Sequence, residues 1–158
     1  MKIIRKTSIV FTLLVFAAIA TFAKGPDIKD KKTAKPVDLT TSEFMKKVHD
    51  FKSNPKEWKY VGDKPAIIDF HATWCAPCKQ LAPTLDALAA EYGEEIYIYK
   101  VDVDKEPDIA RAYGIQSVPS LLFIPDGDAS PQMGQGNIPK KDLKKVIDEF
   151  MLRKEVDE

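Results

Sequence analysis

Apolar residues recur along this chain in alternating helical and strand-like periods. Thr40-Thr41-Ser42-Glu43 fits a capping box, in which hydroxyl and carboxylate satisfy the first free amides of a helix. Phe44, Val48 and Phe51 follow on one helical face, and the helix should end before Asn54-Pro55. Glu57 to Asp63 carries Trp58, Tyr60 and Val61, either a short strand or a loop that packs aromatics onto the domain. Pro65 to His71 holds a short apolar run suited to a strand buried on both faces. From Ala76 the period turns helical again through Leu81, Leu85, Leu88 and Ala89, with Gly93 as the stop and Pro83 as an expected kink.

The second half continues the alternation. Glu95 to Val101 reads as a strand, Pro107 to Tyr113 as a short helix closed by Gly114, and Ser120 to Pro125 as another strand. Asp126-Gly127 has the turn chemistry of a hairpin, with Pro131 to Gln135 as the return strand. Lys140 to Met151 is a last amphipathic helix with Leu143, Val146, Ile147 and Phe150 inward. The predicted order is α, β, α, β, α, β, β, α. It implies an α/β fold with a mixed central sheet and helices on both faces.

The N-terminal end breaks this pattern. Lys2, Arg5 and Lys6 precede a nearly unbroken apolar run from Ile9 to Ala20, and small residues follow at Ala18-Ile19-Ala20 and Thr21-Phe22-Ala23. This is the three-part layout of a secretory signal peptide, expected over residues 1–23. The alternative is a retained anchor, but Ile9 to Ala23 falls short of the ~18–20 residues that span a bilayer. Residues 24–36 are rich in Lys and Asp with one large apolar side chain, Ile28, and read as a flexible leader. The folded domain is expected over residues 37–158. The protein should therefore be exported, to the periplasm or the medium, and soluble after cleavage.

Charge then narrows the partners. The 158 residues hold 24 basic and 24 acidic side chains. Loss of the first 23 would remove three basic ones and leave a net charge of −3. No net field recruits nucleic acid.

The candidate chemistry lies in the only two cysteines, Cys75 and Cys78, which follow a buried strand and open a helix. A free thiol is mostly protonated at neutral pH, whereas the unpaired amides and macrodipole of a helix N-terminus favour a thiolate. Cys75 is thus expected to be the solvent-facing nucleophile. Cys78, one turn further in, would resolve the mixed disulfide. Pro77 suits the first helical turn because it lacks an amide hydrogen. A structural bridge here would close too small a loop to remove much chain entropy. A zinc site built on His71, Cys75 and Cys78 lacks a fourth ligand, since His49 is isolated in sequence. No metal and no separate cofactor are expected; the redox group is the cysteine pair.

Four separated segments carry a resemblance. They are Asp69-Phe70-His71-Ala72-Thr73-Trp74-Cys75-Ala76-Pro77-Cys78-Lys79, Lys100-Val101-Asp102-Val103-Asp104, Tyr113-Gly114-Ile115-Gln116-Ser117-Val118-Pro119-Ser120, and Gly136, seven residues before Leu143. Together they resemble the thioredoxin family over about residues 37–154, which implies a thioredoxin fold. The resemblance implies that Asp69 is a buried carboxyl that takes the Cys78 proton, with Lys100 either tuning it or standing exposed. It implies that Pro119 is cis beside Cys75 and that the Val118 backbone pairs with an extended substrate. Trp74, Pro77, Val118 and Gly136 would line a shallow groove, although Trp74 also suits ordinary packing.

Three departures stand out from the family pattern. Ala76 replaces a glycine, His71 replaces a large aromatic residue, and Asn54 to Asp63 is longer. His71 reads as neutral packing in preference to a cation beside the thiolate. Ala-Pro adds no donor or charge near Cys75, which favours a reductase of protein disulfides over an oxidase or isomerase. A non-catalytic metal-binding module is a further alternative. Clients would be proteins with disulfides, the electron source a membrane donor, and the protein a monomer.

Overall fold

The computed structural model describes residues 34–127 and 129–154. The expected signal peptide and most of the leader lie outside the described residues. Strand β1 is Val37–Asp38, β2 Ala66–His71, β3 Tyr97–Asp102, β4 Ser120–Ile124 and β5 Gln132–Gln135. Helix α1 is Thr41–Lys47, α2 Ala76–Tyr92, α3 Pro107–Ala112 and α4 Lys140–Lys145. The sheet order is β1-β3-β2-β4-β5. β1 and β2 run parallel to β3, whereas β4 is antiparallel to both β2 and β5.

Two apolar layers pack against the sheet. Ile67, Ile98, Leu121 and Phe123 meet α2 and α4 through Leu81, Leu85, Leu88, Leu143 and Ile147. Ile68, Phe70, Tyr99, Val101 and Leu122 meet α1 and α3 through Phe44 and Ile109. Strand alternation sends successive residues of β2 to opposite layers, which is why its run reads as continuously apolar.

The capping box forms as predicted, with Thr40 as N-cap and Glu43 closing it. Elsewhere the structure corrects the pattern. α1 stops at Lys47, and Phe51 follows in a turn, half-buried against the Phe44 ring at 6.2 Å. Glu57 to Asp63 is a loop, with Trp58 and Tyr60 packed on the α1 and α3 layer. The connection from Ile124 to Gln132 is longer than a two-residue hairpin, although Gly127 does take φ +72. After α4 the last turns widen into a π-helix over Val146–Met151. The longer period moves the buried position from Phe150 to Met151, so Leu143, Ile147 and Met151 are the fully buried side chains. β1 was not expected at all.

Candidate active site

β2 delivers the chain to the site and α2 begins it. Cys75 is the N-cap of α2, and its Sγ accepts the Cys78 amide at 3.1 Å. A helix leaves its first amides unpaired, so this position aims a donor at the sulfur. Cys75 and Cys78 are joined as a disulfide with Cα atoms 5.3 Å apart. Ala72, Val103 and Val118 pack around them. One expectation fails here: Cys75 is not solvent-facing. It is 3% exposed and Cys78 6%, so burial does not separate the two sulfurs. What separates them is the helix terminus.

The residues expected around the pair are placed as follows. The Val118–Pro119 bond is cis. Val118 packs against the disulfide just before Ser120, the first paired residue of β4. The Gly136 amide donates to the Pro119 carbonyl at 2.9 Å. Gly136 takes φ +85 with nothing near a would-be Cβ, so its constraint is backbone conformation and not space. Pro77 stands in the first turn of α2. Trp74 is 67% exposed, which excludes core packing as its role. Its indole donates to Asp104 at 2.8 Å, an anchor the sequence reading missed although Asp104 lies in one of the quoted segments.

A polar row crosses the sheet on its α2 side. Asp69 is 2% exposed in β2, on the α2 side of the sheet, and its Oδ1 has no hydrogen-bond partner. Burial pushes its carboxyl up to about 7, against the pull of the Lys100 ammonium and with a further push from Asp38. Lys100 is register partner to Asp69 across β2 and β3, but its ammonium pairs with Asp38 at 3.6 Å. His71 is held below its usual range by burial first and by Lys100 next, in keeping with neutral packing. Among the described residues no three His, Cys, Asp or Glu side chains group as metal ligands.

This arrangement has relatives. A model of the thioredoxin family matches residues 35–149. The chain belongs to the thioredoxin family. It is 46% identical over 114 residues to the thioredoxin of Borreliella burgdorferi, covering 72% of this chain and 96% of that protein. It is 39% identical over 111 residues to a chloroplastic M-type thioredoxin of Spinacia oleracea, covering 70% of this chain and 61% of the relative. Among solved structures, chloroplastic thioredoxin z is similar at TM-score 0.59 and 25% identity, over 72% of this chain and 91% of that one. Thioredoxins are thiol–disulfide oxidoreductases that act on protein disulfides, and their redox group is the disulfide itself. This thioredoxin-family chain carries that group as Cys75–Cys78.

Proposed function

We propose that this chain is an exported reductase of protein disulfides, with Cys75 as the attacking sulfur. The observation that carries the assignment is the amide of Cys78 donating to Cys75 Sγ at the start of α2. The same donor favours a thiolate there after reduction. Cys75 attacks one sulfur of a client disulfide, forming a mixed disulfide and releasing the other client sulfur as a thiolate. Cys78 passes its proton to the Asp69 carboxylate and attacks Cys75 Sγ, freeing the second client thiolate. The client gains two electrons and the Cys75–Cys78 disulfide is formed. An acid that titrates near neutrality suits such a transfer. The client segment lies along Trp74, Pro77, Val118, Pro119 and Gly136.

The reductase direction is supported by Ala76, which brings no donor or charge to the sulfur. Export is supported by the basic start and apolar run of residues 1–23. Electrons then come from a membrane donor, and the protein works as a monomer. Equilibration with glutathione should give a potential of about −270 mV; one of about −120 mV would make the protein an oxidant. Cys78→Ser should trap client proteins on Cys75, and Cys75→Ser should trap none. N-terminal sequencing of the secreted product should begin near residue 24.

A further inference from the structure

Asp38, Lys100 and Asp69 form one row across the sheet. Asp38 is the register partner of Lys100, and Lys100 of Asp69. Matched residues of neighbouring parallel strands point to the same face, so an acid, a base and an acid share the α2 side. His71 follows two residues after Asp69 on that face, level with Asp102.

Contacts within the row are uneven. Asp38 Oδ1 lies 3.6 Å from Lys100 Nζ and 3.8 Å from His71 Nε2. Among the described residues no ion pair joins Lys100 to Asp69. The side chain of Asp38 is 77% exposed at the sheet edge, whereas that of Lys100 is 28% exposed and Asp69 is buried. A cavity of about 330 Å³, lined in part by Asp38, His71, Asp102 and Lys105, opens at this end of the row.

We propose that Asp38 is a positioning residue: its carboxylate holds the Lys100 ammonium at the sheet edge, so that this charge does not settle against Asp69. An ammonium resting on Asp69 would stabilise its anion and make it a weaker acceptor for the Cys78 proton. Paired with Asp38, Lys100 exerts on Asp69 only part of the pull that a direct ion pair would give. The other groups facing Asp69 do not replace it. β4 contributes its register partner Leu121, and the layer from α2 and α4 on that side is apolar through Leu81, Leu143 and Ile147. His71 is held toward neutral, with Asp102 and Lys105 acting on it from beyond. The inference rests on reading Asp69 as the proton acceptor for Cys78.

The test is an NMR titration of the Asp69 carboxyl carbon in the oxidised protein. Asp38→Asn should lower the Asp69 midpoint by about half a pH unit, the scale of an exposed ion pair. Asp38→Glu should keep it near the native value. In a Lys100→Met background the effect of Asp38→Asn should shrink to less than half. No shift or an upward shift in Asp38→Asn overturns the proposal, as does an equal shift with Lys100 absent. The titration needs no substrate, so a chain that failed to reduce insulin disulfides would sink the reductase reading and leave this result legible.

Discussion

His49 and His71 lie against opposite faces of one sheet, among different neighbours. His49 is 7% exposed beside the α1 and α3 layer, and both ring nitrogens are used. Nε2 donates to the Glu57 carbonyl at 3.1 Å, and Nδ1 meets the Tyr113 hydroxyl at 2.9 Å. Trp58 packs against the ring at 4.9 Å. His71, on the α2 side, has a buried Nε2 with no hydrogen-bond partner, and Asp69, two residues earlier on that face, has a buried oxygen in the same condition. Buried polar groups are nearly always paired, and an unpaired one costs roughly 1–3 kcal/mol. One face spends its polar groups on holding the long 54–63 loop in place. The other leaves two of them unsatisfied on the side of the sheet that carries α2.

That contrast can be broken most forcefully at Asp69. Its folded value near 7 lies above the ordinary 3.8, so the native state holds the proton more tightly than the unfolded chain. The stability this confers is fully present below pH 3.8 and is lost as pH rises to about 7. Asp69→Asn removes the loss. Urea melts across that window should show the variant gaining on the native protein by up to about 4 kcal/mol, with a plateau above it. Turnover of insulin disulfides should fall in the same variant. A stability difference that does not change with pH would mean Asp69 is ionised throughout.

His49→Ala tests the satisfied face. It removes two hydrogen bonds, leaves the Tyr113 hydroxyl without that partner and opens space beside Trp58, at an expected cost of about 3 kcal/mol. Disulfide reduction at a temperature where the variant is folded should be unchanged. His71→Phe should have the smallest effect, within about 1 kcal/mol of the native protein at pH 7. The native imidazole resists protonation, so its contribution to stability is lost as pH falls through 6.5, the value expected in the unfolded chain. The variant should therefore gain on the native protein below that pH. A loss of several kcal/mol at pH 7 would show that the unpaired nitrogen is not a liability.

The fold and the centre of the site were legible because their signals are local. Periodicity found four of the five strands, and the placement of Cys75 after a strand and before a helix located the chemistry. Capping residues found the start of α1 because Thr40 and Glu43 are only three positions apart. β1 escaped because two residues carry no period and both are exposed. Asp38 escaped with it: its partners, Lys100 and His71, are brought to it by strand register, which no short window contains. The burial of Cys75 escaped for a similar reason, since Val103 and Val118, which cover it, come from distant segments. The π-helix was missed because its wider turn leaves an apolar pattern that still fits 3.6 residues.

β1 is a two-residue strand at the edge of the sheet, and the Leu39 amide bonded to the Lys100 carbonyl at 2.9 Å continues its attachment. Edge segments this short are the first to fray, with opening energies far below that of the whole domain. Lys100 and Asp69 lie on interior strands and stay behind when it does. Fraying of that strand carries Asp38 away with it, so the Lys100 ammonium loses its carboxylate partner whenever the edge of the sheet opens.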